Sequence, residues 1–464
     1  MSRINNTKKE ALLPFFLSVT LFVAICLTSF SMFTYYDHKR WLVLLFLSIF
    51  SVVSVFKTSS PIFVPIDLRS IGLSLFIFFA YVLIRGLFGF NINTTLDSML
   101  WSLLIIFGYL LVKSKSMINI RRFLFAVIIP FSFYYILVLM QYVFVLFSPI
   151  DWSIQVLAVG FDNVRFINQC QALLFPIFIF FIFDENKPIR VSSYLSTIFT
   201  IAFALYSNGR GLMLVLIFET LILFIFFAFS QHKSIKMIFH LILIWLIGAV
   251  VYYVLWELIP SLIWNELSVS ELVRSVGARP IIWREALLIW REYPLFGIGG
   301  MAYSDPSNGF TYNLGHPHNS IIQVLLEYGL VGFMLVLLFS MLFFTRAINH
   351  LINFEFQKHY PFTLLALIGG SALSLVSGVI VMPLSQFLWV LMFCVVYIEL
   401  SSNLKVYNSK LKFSLSVGFQ RASVLMLIFF LLLFSFFSYQ YIMGQDALIM
   451  DAGPRFWLVG RFIY

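Results

Sequence analysis

Charge is scarce in this chain: Asp, Glu, Lys and Arg make up 11% of 464 residues, against 61% hydrophobic. No water-soluble globular surface can be covered from that supply, so a soluble fold is excluded. Cysteine is scarce too. Cys26, Cys170 and Cys394 lie in or beside apolar runs without CxxC spacing, which indicates neither a disulfide framework nor a thiolate metal site. A signal-peptide cleavage site is missing: the first apolar run follows Lys8 and Lys9 and leads to Tyr36-Asp37 with no small-residue site, so it reads as a retained helix. No internal repeat or low-complexity linker interrupts the pattern. The formal charge of +10 forms no basic stripe with interleaved aromatics, so nucleic acid is not an expected partner.

What the chain has instead is apolar length, with 56 Phe among its residues. Crossing a bilayer takes roughly 20 apolar residues. Cutting at the polar breaks gives thirteen runs, at 12–34, 41–56, 71–90, 98–112, 123–149, 170–183, 191–207, 211–230, 237–259, 329–345, 361–382, 384–400 and 423–443. The expected architecture is an all-α polytopic membrane protein of about 13 transmembrane helices. It forms a single transmembrane domain over 1–464, with a long loop at 260–318 and a short tail at 444–464. Every lysine but Lys39 falls on the side that an inside N-terminus makes cytoplasmic, so the positive-inside rule puts the long loop and the tail outside.

The unusual polar clusters fall on that outer side. Within the loop, SVGARPIIWREALLIWREYPLFGIGG has helical apolar spacing from Ala278 to Glu292, which predicts an amphipathic helix on the membrane surface. Its Arg279, Arg284 and Arg291 suit either snorkelling or a lipid diphosphate. Downstream, GHPHNSIIQVLLEYGLVG places His316, His318 and Asn319 at the mouth of the tenth helix. A histidine of ordinary pKa can take a proton from a hydroxyl at neutral pH, while Asn319 equally suits a helix cap. Residues i and i+2 share no helix face and no acidic cluster completes a ligand set, so no metal is expected.

Ser207-Asn208-Gly209-Arg210-Gly211 reads as a tight turn whose glycines allow close backbone approach and whose arginine can grip phosphate at the bilayer surface. Arg165, Asn168, Gln169 and Gln171 form a polar group entering the sixth helix, suited to sugar hydroxyls or to capping. Arg85 and Glu219 stand within apolar runs, where a central charge costs roughly 2.5 to 3.5 kcal/mol. Arg85, near the outer end, suits snorkelling; the deeper Glu219 suits an arginine partner or a proton pathway.

NGRG at 208–211, RPIIWREALLIWREYPLFGIGG from Arg279 and HPHNSIIQVLLEYGLVG from His316 together resemble the O-antigen ligase and polymerase superfamily, specifically over about 207–332. The resemblance implies a GT-C-like membrane glycosyltransferase of the bacterial inner membrane. Such a protein moves a glycan from undecaprenyl diphosphate to a periplasmic acceptor, without metal or cofactor. It further implies that Arg210 and Arg279 hold the donor diphosphate and that His318 activates the acceptor hydroxyl. Arg284 and Arg165 are secondary donor contacts, and His316, Asn319, Glu327, Asn168 and Gln169 are supporting residues. Fixed guanidinium groups would stabilise the charge on the departing diphosphate. A single displacement would invert the anomeric carbon.

Three acceptors compete: a Ser or Thr of a protein such as type IV pilin, a lipid A core sugar, and a growing repeat-unit polymer. The ending GPRFWLVGRFIY, with Arg455, Arg461 and aromatics, resembles pilin-type O-oligosaccharyltransferases and favours the protein acceptor. A transporter or flippase is the non-enzymatic alternative, since buried Arg85 and Glu219 could mark a substrate route. The missing repeat and the one-sided polar clusters weigh against it.

Overall fold

The structure is a computed structural model that describes residues 2–27, 35–57, 66–88, 92–114, 118–148, 156–229, 235–264, 279–304, 310–311, 314–353 and 357–403. Among these, helices are α1 (Ser2–Cys26), α2 (Tyr35–Lys57), α3 (Ile66–Phe88), α4 (Ile92–Lys113), α5 (Ile120–Leu146), α6 (Val164–Ile182), α7 (Lys187–Tyr206) and α8 (Arg210–Phe229). α9 (Ile235–Tyr252) runs through a π-helical turn at Tyr253–Leu258 into α10 (Ile259–Trp264). Then follow α11 (Arg279–Glu292), α12 (Ser320–Asn353), α13 (Tyr360–Ser374) and α14 (Pro383–Asn403). No strand occurs among the described residues. The protein is an all-α polytopic membrane protein, as its composition requires. Seven of the described helices are by themselves long and apolar enough to cross a membrane.

Twelve of the thirteen apolar runs fall on these helices; the last, 423–443, and the 444–464 tail lie outside the described residues. The run at 361–382 yields a shorter helix than expected, because α13 stops at Ser374 and residues 375–382 turn. Asparagines set several starts. Asn119 accepts from the Arg122 N–H, Asn163 from Arg165 and Asn186 from Ile189, each satisfying a donor that a helix N-terminus leaves open.

The chain divides into two compact units. Unit one comprises Met1–Lys39, Asn119–Val276 and Pro361–Val379. In it α1 packs on α5, and α6 and α7 pack with α8 and α9. α6 is buried on nearly every side, with its polar residues Arg165, Asn168, Gln169 and Gln171 gathered in its N-terminal half and an apolar run after them. Unit two comprises Arg40–Ile118, Gly277–Tyr360 and Ile380–Tyr464. Here α3 lies against α4 and α12, α11 against α12, and α14 against α4. Phe46, Phe107 and Phe387 interlock at its centre with ring centroids 5.5 to 6.0 Å apart, an edge-rich arrangement that phenyl rings favour.

The feature that positions the loop of unit two is a break in α12 at Gly329, whose φ of 65° and ψ of −168° lie outside helical space. The expected span began at this residue, but the helix begins earlier, at Ser320. Breaking a helix frees carbonyls and N–H groups that lipid cannot satisfy, each worth several kcal/mol. The segment 294–299 supplies the partners. Ile298 and Gly299 N–H donate to the Leu326 and Glu327 carbonyls at 2.9 Å, while Leu330 and Val331 N–H donate to Pro294 and Leu295 at 2.8 and 3.1 Å. Tyr81 donates to the Tyr328 carbonyl at 2.6 Å, and Arg85 Nη2 to the Gly297 carbonyl at 2.9 Å. Arg85 therefore holds this clasp, where the sequence suggested snorkelling.

Candidate functional site

In unit two, α11 starts as expected, with Arg279 and then Pro280 in the first turn, where a missing N–H costs nothing. Its apolar face is used differently from the expectation of a helix lying on a membrane. Ile282 and Ala286 are buried in a cluster with Tyr303, Phe310 and Leu326, and Trp283, Ile289 and Trp290 pack against it. Ile281 and Leu288 stay exposed. So do Arg279, Arg284 and Arg291.

The same packing carries the histidine loop. Trp283 Nε1 donates to the Pro317 carbonyl at 2.9 Å, tying the loop to α11. Buried His316 accepts the His318 backbone N–H on Nδ1 at 3.0 Å, and the two rings meet edge to face at 4.3 Å. Asn319 accepts the Ile321 and Ile322 N–H groups at 2.9 and 3.1 Å, so it does cap α12. Between these fixed points His318 is held at φ 55°, a left-handed conformation that a side-chain-bearing residue adopts only when its surroundings impose it. Burial, and secondarily the Arg279 charge, push the His318 imidazole down to about 4, so it is neutral at pH 7. Arg279 and His318 are thus electrostatic neighbours. Glu327 is fully buried before the helix break, its Oε2 accepting from Gln323 Nε2 at 3.3 Å.

In unit one, the turn after α7 is tight for visible reasons. Asn208 sits at φ 50°. A Cβ on Gly209 would approach Asn168 Nδ2 to 2.7 Å, and one on Gly211 would approach Val376 Cγ2 to 2.9 Å. Arg165 Nη1 donates to the Ser207 carbonyl at 3.3 Å, and Asn168 Nδ2 donates to Ser207 Oγ at 3.1 Å. Gln169 Nε2 donates to Ser377 Oγ at 2.9 Å. Asn168 and Gln169 are buried, so their amides brace the turn. Arg165 and Arg210 are exposed, and Arg210 opens α8, whose N-terminal N–H groups add positive potential beside the guanidinium. The structure thus gathers Arg165, Asn168, Gln169 and Arg210 in unit one, and Arg279, Arg284, His316, His318, Asn319 and Glu327 in unit two.

Lys39, the exception in the charge count, proves to be a buried brace. Its ammonium donates to the Tyr35 carbonyl at 3.1 Å and to the Gly160 carbonyl, and stands 4.2 Å from the Phe161 ring centroid. Its charge also acts on Asp162. It thereby fixes the loop that ends in the Asn163 cap and Arg165. Nothing local in the sequence signals this partner set. Glu219 is fully buried in α8, and neither carboxylate oxygen has a hydrogen-bond partner among the described residues. Gly369 opposite it leaves the room, since a Cβ there would overlap Oε1.

The tight arginine turn, the arginine-bearing α11 and the braced histidine lie along one continuous stretch of sequence. Residues 195–337 match the family model described as O-antigen ligase. Over those residues the chain is similar to that family. The match supports the O-antigen ligase superfamily, and with it a membrane glycosyltransferase activity of that family. Comparison with curated proteins found no match.

Proposed function

We propose that this O-antigen ligase-family protein transfers a glycan from undecaprenyl diphosphate to an acceptor hydroxyl, with His318 as general base. The observation that supports it most is the braced, neutral His318 beside Arg279. The acceptor oxygen attacks the anomeric carbon while the bond from that carbon to the diphosphate oxygen breaks. The hydroxyl proton passes to the imidazole, and undecaprenyl diphosphate leaves with the bonding electron pair. Arg279 and Arg210 grip the diphosphate bidentately, Arg284 and Arg165 adding positive charge, in a role that lysine reproduces only as a point charge. An anionic diphosphate near Arg279 also cancels part of the charge that holds His318 low, which makes the imidazole a better base when donor is bound.

The acceptor in this proposal is a Ser or Thr of a protein such as type IV pilin, supported by the GPRFWLVGRFIY ending, with lipid A core as the rival. The site faces the periplasm of the inner membrane, supported by the lysine distribution. A cysteine placed at 113 should label from the cytoplasmic side only; labelling in intact cells would reverse the orientation.

Reconstituted enzyme with undecaprenyl-diphosphate glycan and separate pilin and lipid A core acceptors tests the chemistry. His318→Ala should lose roughly 10²- to 10⁴-fold in turnover, and Arg279→Ala and Arg210→Ala should abolish transfer at unchanged protein level. His316→Ala should cost less, since its ring braces the loop. Wild-type transfer by His318→Ala would end the general-base role, and transfer to core sugar alone would replace the protein acceptor.

A further inference from the structure

Lys39 of α2 takes no part in the chemistry above, and at 3% exposure it cannot meet a donor itself. It stands instead at the head of a chain of contacts that runs through unit one to the arginine turn. Its ammonium donates to the Gly160 carbonyl and faces the Phe161 ring. Gly160, at φ 70°, bends the loop there. The Asp162 carboxylate accepts the Tyr35 and Tyr36 backbone N–H groups, as a capping residue does. The first turns of α2 thus grip residues 160–162 at both ends, and Tyr36 meets the Phe166 ring edge-on at 5.5 Å. The loop passes straight into α6, where Asn163 accepts the Arg165 N–H at 2.8 Å. Arg165 Nη1 in turn donates to the Ser207 carbonyl at 3.3 Å, immediately before the turn that carries Arg210.

The firmness of this grip depends on the charge of Lys39. A hydrogen bond from an ionised donor is roughly twice as strong as a neutral one. An ammonium is also drawn to the face of Phe161, where a neutral amine is not. Lys39 lies before the apolar run at 41–56, on the outer side of it. Burial pushes its amine down to about 7, against the opposing pull of Asp162 in the loop, Cys170 of α6 and Cys26 of α1, the groups that face it from other elements. On α2 itself its titratable neighbours are His38 and Tyr35. Around neutral pH the amine therefore changes charge while the His318 imidazole stays neutral.

We propose that Lys39 is a positioning residue for the donor diphosphate: by holding the 160–162 loop it sets Arg165 and, through Arg165, the Arg210 turn, and its protonation decides how firmly. The proposal rests on the donor role given to Arg165 and Arg210. The test is calorimetric titration of farnesyl diphosphate into the full-length protein in detergent, from about pH 5.5 to about pH 8.5, the range over which a group near 7 changes charge. Lys39→Met should bind about tenfold more weakly than wild type at the acid end, and the ratio of the two Kd values should fall toward unity at the alkaline end. Taking the ratio removes the ligand's own ionisation. Arg165→Ala should bind about as weakly, and adding Lys39→Met to it should cost little more, because residues that act through one another are not additive. Asp162→Asn keeps an acceptor for the α2 N–H groups, and so the fold, but removes a charge that raises Lys39. In that background the ratio should fall at a lower pH. A ratio near unity throughout, a ratio unchanged by pH, additive losses in the double variant, or an unshifted fall with Asp162→Asn overturns the positioning role. If Arg165→Ala and Arg210→Ala both bind as wild type does, the donor site itself is wrong and the positioning role goes with it. Losses in those two with none in Lys39→Met overturn the positioning role alone.

Discussion

The polar turn of unit one and the clasped loop of unit two both hold functional side chains still, by different atoms. Around NGRG the groups that reach in from another helix are side chains: Arg165, Asn168 and Gln169 of α6 donate to Ser207 and Ser377, while the turn's own backbone bonds stay within the α7 end. Around GIGG four backbone N–H donors are exchanged between residues 294–299 and the broken α12, and the Tyr81 and Arg85 side chains add to them. A side chain can swing aside when crowded, whereas a carbonyl in a ladder cannot move without its neighbours. The two regions should therefore differ in what they tolerate.

Alanine at the two glycines gives the largest contrast. Gly329→Ala puts a Cβ 2.3 Å from the Leu295 carbonyl oxygen, at a φ and ψ that essentially only glycine adopts, and the backbone strain alone costs about 1–3 kcal/mol. Folded yield in membranes should collapse. Gly209→Ala crowds chiefly the flexible ends of the Asn168 and Arg165 side chains, so its melting temperature should fall far less. Equal losses by thermal unfolding in detergent would break the comparison.

Lys39 tests whether a side-chain brace can still be costly when it is buried. Lys39→Ala removes the buried donor to the Tyr35 and Gly160 carbonyls together with the charge that acts on Asp162, and leaving such a buried acceptor unsatisfied costs about 1–3 kcal/mol. Adding Asp162→Asn should restore part of the lost melting temperature. A single variant as stable as wild type would show that the ammonium does not hold this loop.

The mildest perturbation is pH. Because burial and Arg279 depress His318 to about 4, the neutral imidazole stabilises the fold fully above its unfolded value near 6.5, and that contribution is lost as pH falls from there toward 4. The acidic limb of kcat/KM, which reports the free enzyme, should lie near 4, and that of kcat should lie higher, because bound diphosphate offsets Arg279. Burial also lowers His359 to about 4, so the stability profile must be compared with that of His318→Gln. An acidic kcat/KM limb near 6.5 would mean that His318 is not in the depressed environment described.

The bilayer class, twelve helix positions, the α11 helix and the tightness of NGRG were legible in the residues alone. Each depends on neighbours within a turn or two, or on a length that hydrocarbon thickness imposes. Asn319 as a cap was legible for the same reason, as one of two readings. The tertiary structure alone decided which reading of a polar residue applied. Arg85 finds its acceptor 212 residues away at Gly297, and Lys39 finds Gly160 121 residues away. The break at Gly329 was signalled only by glycines in GIGG and EYG, whose pairing no local rule specifies. Buried polar groups must be satisfied, but chain order does not say by whom, and that choice falls to packing.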